Sequence, residues 1–235
     1  IDKFIYIINK RINRSKKNVI LIHGSASIET TIAILSCAKL GIHFSVIFED
    51  LPKKAIDLRI KILKPTLIIT RFDINKCRKT FSFSNLLIFS NSKKKNKKIY
   101  QISVNKLKKT KMKKIDYSFF YSNKTLFTLF TSGSTGEPKG IQHSTGGYLL
   151  YSKYTCMNQF GMNKDSVVLT ASDAGWINGH TYSLFGPLFF GGTSILLESP
   201  IIILNENILK KIKNLKISIL YLPVTLIRLL KSVTK

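Results

Sequence analysis

The chain has 235 residues, 44% of them hydrophobic, with 38 Lys and Arg against 12 Asp and Glu for a formal charge of +26. That apolar share can bury a sizeable core and excludes a disordered chain. Cys37, Cys77 and Cys156 lie far apart and form no C-x-x-C pair, which excludes a zinc or disulfide framework and fits a reducing compartment.

The first strand is predicted at Val19 to His23, followed by a helix with Ile28, Ile32 and Leu35 on one face. Phe44 to Phe48 is a second strand, Asp50 and Pro52 open a helix through Ala55, Leu58 and Ile62, and Thr66 to Thr70 is a third. Leu86 to Phe89 adds another. These runs are apolar throughout rather than alternating, as suits parallel strands covered on both faces.

Positions 91–114 show little apolar periodicity and read as a Lys-rich insertion or connector. The charge first raises nucleic acid or an anionic membrane as partners, because clustered Lys neutralises phosphate. The excess is nevertheless spread along the chain, with dense runs at Lys93 to Lys98 and Lys106 to Lys114, and no aromatic residue interleaves the first run. Such blocks read as solvated, so no specific nucleic acid is expected. Apolar zones break before about 18 residues, so no membrane span is expected either.

Beyond the connector come a strand at Thr125 to Thr131, a helix around Gly146 to Phe160, a strand at Ser166 to Thr170 and a mixed region through Phe190. A strand follows at Thr193 to Leu197. Asn205 is placed to cap a helix bearing Ile208, Leu209, Ile212 and Leu215, and after it Ile217 to Leu222 is a strand with Pro223 turning into a last helix. The fold class expected is α/β, with layered, mostly parallel sheets and helices on both faces. The expected division is 1–90 as a first α/β subdomain, 91–114 as the connector and 115–235 as a second α/β part.

The stretch TSGSTGEPKG, Thr131 to Gly140, directly follows a strand. Gly133, Gly136 and Gly140 let backbone approach a ligand, Thr131, Ser132, Ser134 and Thr135 supply hydroxyls, and Lys139 adds a point charge, a set that suits a polyphosphate. Counting from Gly133, the P-loop's sixth position is Pro138, and Gly140 follows Lys139, so G-x-x-x-x-G-K-[ST] fails twice. The nucleophile elbow G-x-S-x-G fails because Ser132 stands where Gly is required before Ser134.

TSGSTGEPKG followed by IQHSTGGY resembles the signature of AMP-forming acyl-CoA synthetases, within the adenylate-forming enzymes. SDAGWINGHTYSLFGPLFFGG, Ser172 to Gly192, is similar to the acetyl-CoA synthetase branch, and Ile34 to Phe48 and Ile219 to Leu230 align in order. The resemblance implies a ligase in which an acid attacks the α-phosphate of ATP, Mg2+ accompanying it, and CoA takes the acyl group from acyl-AMP. Thr131, Ser132, Gly133, Ser134, Thr135, Gly136 and Lys139 would then hold ATP. Trp176 and Ile177 would wall the acyl pocket, with Ile177 in place of a slightly smaller β-branched residue, which fits acetate, with propionate as the alternative.

On the CoA side the resemblance implies Lys76, Lys79, Asn178 and Ile202. Asn178 replaces a usual Thr, Lys76 and Lys79 fall near Arg positions, and Glu49-Asp50 replaces a Gly-Gly pair with charge that would repel CoA phosphates. His23 and His43 flank apolar strands and read as core or edge residues, His143 and His180 lie in motif segments, and the four form no metal set. Asp173 reads as a loop organiser. The resemblance further implies a cytoplasmic enzyme of which these residues are part of an N-terminal domain, with the catalytic Lys of a C-terminal domain beyond Lys235, so the chain alone is not expected to turn over. The competing expectation is a non-catalytic nucleotide- or polyanion-binding module that kept the loop.

Overall fold

The computed structural model describes residues 1–82, 85–90, 99–112, 115, 117, 119–131 and 137–233, with the side chains of Pro200 and Val233 not described. The chain divides into two compact units, one of Ile1–Gly24 with Glu29–Thr145, the other of Ser25–Ile28 with Gly146–Lys235.

The first unit is built on a seven-stranded sheet, counted among the described residues, in the order β5-β4-β3-β1-β2-β6-β7. Its strands are β1 (Val19–His23), β2 (His43–Ile47), β3 (Leu67–Thr70), β4 (Leu86–Phe89), β5 (Ile99–Ile102), β6 (Thr125–Thr131) and β7 (Lys139–Ser144). All neighbours pair in parallel except β6 and β7, which are antiparallel. Every residue of β1 is buried, as its continuous apolar run requires of a central strand.

Helices cover both faces. On one, Leu21, Ile68 and Ile88 pack with Ile56 of α3 (Lys53–Leu63) and Cys77 of α4 (Ile74–Thr80). On the other, Phe4 of α1 (Asp2–Asn9) stacks on Phe89 of β4 with ring centroids 4.9 Å apart. The helix α2 (Ile28–Leu40) buries Thr30, Ala33, Ile34, Cys37 and Leu40 rather than the expected Ile28, Ile32 and Leu35, and Ile28 is exposed. Apolar residues surround this helix, so spacing alone fits more than one face, and small Ala and Cys side chains permit the closer approach. In α3 the inward set is Ile56, Ile60 and Leu63, one step round from Ala55, Leu58 and Ile62.

Inside the stretch expected as a connector, Ile99–Ile102 forms the edge strand β5, pairing with β4 from Leu86↔Ile99 to Phe89↔Ile102. Its end residues Ile99 and Ile102 are buried. Ser103 then caps α5 (Val104–Lys109) by accepting from the Lys106 N–H at 3.2 Å. A four-residue strand between lysines is too short to display a period. Lys106, Lys108 and Lys109 lie on α5, while Lys93 to Lys98, Lys113 and Lys114 lie outside the described residues.

The second unit holds a three-stranded parallel sheet in the order β10-β8-β9, from β8 (Val167–Thr170), β9 (Thr193–Ile195) and β10 (Ile219–Tyr221). Leu169 and Ala171 pack with Ile203 and Leu226, while Val168, its neighbour on β8, packs with Cys156 and Met162. Around them lie α6 (Thr145–Phe160), α9 (Glu206–Lys213) and α10 (Val224–Val233). Asn205 caps α9 as expected, its Oδ1 accepting from Asn207 N–H at 3.0 Å and Ile208 N–H at 3.3 Å. The mixed region resolves into a helical run of α7 (Ile177–His180), a π-helical turn (Thr181–Phe185) and α8 (Gly186–Phe189). The three cysteines are buried and free.

Candidate functional site

The glycine-rich stretch is the connection of a hairpin, because β7 returns antiparallel to β6. Thr131, the last residue of β6, and Lys139, the first of β7, are register partners, and Phe130 opposes Gly140. Both Thr131 and Lys139 are exposed. Gly140 lacks a Cβ where one would meet Thr128 Cγ2 at 3.0 Å, so the small residue lets the two strands close at the neck. Ser132, Gly133, Ser134, Thr135 and Gly136 lie outside the described residues. The neck stands at the carboxyl end of the parallel strand β6, the edge on which ligands of open α/β sheets bind. His143, further along β7, stacks on Phe127 with centroids 4.7 Å apart, and burial lowers its pKa. No residue pattern marks β7, since four of its six residues are exposed and it shows no alternation.

At the carboxyl end of β1, His23 is buried and its Nδ1 lies 3.0 Å from Thr70 Oγ1. Its ring meets Phe72 and Phe81 edge to face, as expected of a core residue. Burial, reinforced by the nearby Lys76 charge, lowers its pKa to about 4. His43 at the start of β2 has Nε2 2.7 Å from Thr128 Oγ1, and burial with Lys17 lowers it likewise to about 4.

Lys76 and Lys79 project, exposed, from α4 three residues apart and so on one side of it. Asp73 starts this helix by accepting from Asn75 N–H at 2.8 Å and Lys76 N–H at 3.0 Å. Lys76 Nζ sits 3.8 Å from the Phe72 ring centroid. Glu49, expected to repel phosphate, lies 3.7 Å from Arg71 Nη1, and Arg71 Nε is 3.9 Å from Glu29. Arg71 therefore offsets charge that the sequence presented as unopposed. Its one sequence signal is its place directly after β3, beside the ends of β1 and β2.

In the second unit, Asp173 is a loop organiser, its Oδ1 accepting from Gly175 N–H at 2.8 Å and its carbonyl accepting from Trp176 N–H at 3.1 Å. Trp176 leads into α7 and is 58% exposed, which removes core packing as its role. Ile177 follows at 36% exposure, and Asn178 donates from Nδ2 to Tyr221 Oη at 3.2 Å. A Cβ on Gly179 would lie 2.2 Å from the Asp173 carbonyl oxygen, so only glycine lets the helix press on that loop. His180 is buried behind it. Ile202 is exposed on a 3-10 turn (Pro200–Leu204). The structure thus brings Thr131 to Lys139, Lys76 to Lys79, and Trp176 to Ile177 and Asn178.

Among the described residues no group of three His, Cys, Asp or Glu side chains is placed to hold a metal, and no helix is long and apolar enough to cross a membrane. The donors at the hairpin neck, a hydroxyl and an ammonium, fit phosphate oxygens.

The sequence profile of the AMP-binding enzyme family matches residues 10–235. Acetyl-coenzyme A synthetase of Marinomonas sp. (strain MWYL1) is 32% identical over 217 residues, 84% of this chain and 33% of that protein. Acetyl-coenzyme A synthetase 1 of Debaryomyces hansenii is 54% identical over 77 residues, 33% of this chain and 12% of that protein. The chain spans about a third or less of the length of these curated relatives. The crystal structure of a Brucella canis acyl-CoA synthetase superposes with a TM-score of 0.83 at 18% identity, covering 98% of this chain and 41% of that one, a likeness of fold. The chain belongs to the AMP-binding enzyme family, the adenylate-forming enzymes, with acetyl-CoA synthetases among its relatives.

Proposed function

We propose that this chain supplies the phosphate grip and acyl-pocket wall of a ligase that activates acetate with ATP and passes the acetyl group to CoA. The observation that carries the reading is the hairpin neck, where Thr131 and Lys139 are register partners at the carboxyl edge of a parallel sheet. The named relatives support the choice of acid.

In this reading a carboxylate oxygen attacks the α-phosphorus, the bond to the bridging oxygen breaks, and pyrophosphate leaves. Hydroxyls of Thr131, Ser134 and Thr135, backbone at Ser132, Gly133 and Gly136, and the Lys139 ammonium hold the departing phosphates, where charge accumulates. The acid arrives ionised and needs no general base. Mg2+ enters with ATP as part of the substrate. Trp176 and Ile177 bound the acyl pocket, and an extra methylene, worth about 1–3 kcal/mol in such a pocket, separates acetate from propionate. The CoA thiol then attacks the acyl carbon and AMP leaves. Lys76 and Lys79 meet CoA phosphate as point charges, and Asn178 and Ile202 are the further CoA contacts in this reading. Arg71, by pairing Glu49, keeps that carboxylate from opposing them.

We place the adenine contacts and the C-terminal catalytic Lys outside these 235 residues, so these residues alone are expected to be inactive. The test is acetate-dependent ATP–pyrophosphate exchange by the intact protein. Lys139→Ala is expected to slow exchange by on the order of 10²-fold, the scale for loss of one charge-stabilising donor. Equal exchange by wild type and variant would sink the grip. ATP binding without any exchange would instead favour a non-catalytic nucleotide-binding module, and equal rates with propionate would remove acetate selectivity.

A further inference from the structure

A cavity opens on the edge of the same sheet opposite the hairpin neck, where β1, β2 and β6 begin with Val19, His43 and Thr125, and runs along Thr128 and Gln142 as far as Gly140, beside the neck. Its volume is about 630 Å³, within the range of small-molecule sites. Arg14, Lys16, Lys17, Lys64 and Lys124 line it, and among the described residues no carboxylate does.

These cations stand on fixed supports. Arg14, Lys16 and Lys17 occupy the turn before β1, which Asn13 and Asn18 tie down. Asn13 Oδ1 accepts from Ser15 N–H at 3.0 Å, and Asn18 Nδ2 donates to the carbonyls of Asn13 and Lys16, each at 2.8 Å. Lys64 ends α3 in the left-handed region, φ 48°, its N–H donating to the Ile60 carbonyl at 2.8 Å. Lys124 follows a turn closed by its own N–H on the Tyr121 carbonyl, and its Nζ lies 5.2 Å from the Phe120 ring centroid. The polar interior is set by the His43 to Thr128 contact of 2.7 Å.

Bringing like charges around one cavity costs free energy that a matching anion recovers. Guanidinium and ammonium groups together match phosphate oxygens, the first as a fork and the others as point charges. We propose that this basic cavity binds a small anion bearing two or more phosphate groups, held by cations other than Lys139 of the hairpin neck. A concave cavity of this size, rather than a flat stripe, favours a compact anion over nucleic acid.

His43 at the cavity reports occupancy directly. The 235-residue chain is titrated with inorganic triphosphate while the histidine ring resonances are followed by NMR, with sodium chloride at matched ionic strength as the control; His43→Gln assigns the signal. His43 is expected to shift saturably with triphosphate and not with chloride. The same shift is expected in Lys139→Ala, which separates this site from the proposed grip on ATP. Charge reversal at two exposed positions, Lys17→Glu with Lys64→Glu, is expected to weaken binding at least about tenfold. An unmoved His43 resonance, an equal response to chloride, or loss of the shift in Lys139→Ala overturns the proposal. So does duplex DNA that displaces triphosphate and binds equally well to the charge-reversed chain. If that double variant does not fold, the wild-type titration and Lys17→Gln decide, the latter by an affinity equal to wild type.

Discussion

Residues 131–140 and residues 172–192 carry the proposed chemistry on two kinds of scaffold. At the hairpin neck backbone pairing does the positioning, since Thr131 partners Lys139 and Phe130 partners Gly140 while the Thr131 and Lys139 side chains stand exposed. In the second region close packing does it. Asp173 ties the loop through Gly175 and Trp176, Gly179 presses on the Asp173 carbonyl, and Gly186 leaves room where a Cβ would lie 2.3 Å from Cys156 Sγ. Chemistry and folding therefore separate at the neck and overlap at 172–192. At the neck a side chain can be exchanged without disturbing what holds it, whereas at 172–192 the exposed Trp176 and Ile177 stand on close-packed neighbours, Asp173, Gly179 and Gly186, that also hold the region together.

The strongest way to break this distinction is Gly179→Ala. The new Cβ would meet backbone rather than the end of a flexible side chain, so the loop or the helix must shift. A loss at or above the top of the ~1–3 kcal/mol range for overpacking is expected. Hydrogen exchange checks it: protection should fall across 177–189 and stay unchanged in β6 and β7. Unchanged protection at 177–189 would show that packing does not hold this region.

Acid probes the unit that carries the hairpin. Burial lowers His23 from its ordinary 6.5 to about 4, so between those values the unfolded chain binds the proton more tightly. Stability is therefore fully present above about 6.5, falls as pH drops toward about 4, and changes no further below that on account of this group. The fall amounts to at most about 3 kcal/mol. Urea midpoints reported by amides of β1 and β3 should follow this window, to which His43, lowered likewise to about 4, also contributes, and His23→Gln should reduce the dependence without removing it. A midpoint independent of pH across that range would contradict the burial argument.

The legible parts of the molecule were those where one local signal is sufficient. Apolar runs such as Val19 to His23 marked buried parallel strands, and Asn205 announced a helix start that its two accepted hydrogen bonds confirm. The facing of α2 was illegible because its apolar residues surround it, and β5 because four residues between lysines carry no period. β7 was hidden for a different reason: its place is set by pairing with β6, and its exposed side chains record little of that. Of the candidate site, TSGSTGEPKG and the SDAGW segment were readable as patterns of residue type. The offset of Glu49 by Arg71 was not, because it joins the ends of β2 and β3 through a contact made only in the folded sheet.

A smaller effect sharpens the contrast from within the second unit. Asn205→Ala removes the acceptor for Asn207 and Ile208 N–H and is expected to cost about 1 kcal/mol, the usual worth of such a cap. Thermal unfolding followed through amides of α9 should register that loss, while the hairpin amides should not respond. Movement of both would mean that the two regions unfold as one.

The smallest expected effect tests the comparison most directly. Lys139 is exposed, and what holds it opposite Thr131 is the backbone ladder from Thr125↔Ser144 to Thr131↔Lys139, which alanine can make equally well. Lys139→Ala should therefore leave the stability of the first unit within about 0.5 kcal/mol of wild type, the range of ordinary surface substitutions. The measurement is the urea midpoint and slope of the same chain, read from β6 and β7 amides. If the variant loses much more, the ammonium is part of the scaffold, and slowed pyrophosphate exchange in that variant would reflect a disturbed hairpin. If stability holds while exchange falls, the loss belongs to the contact with the leaving phosphates, and the neck is a scaffold whose side chains are free for chemistry.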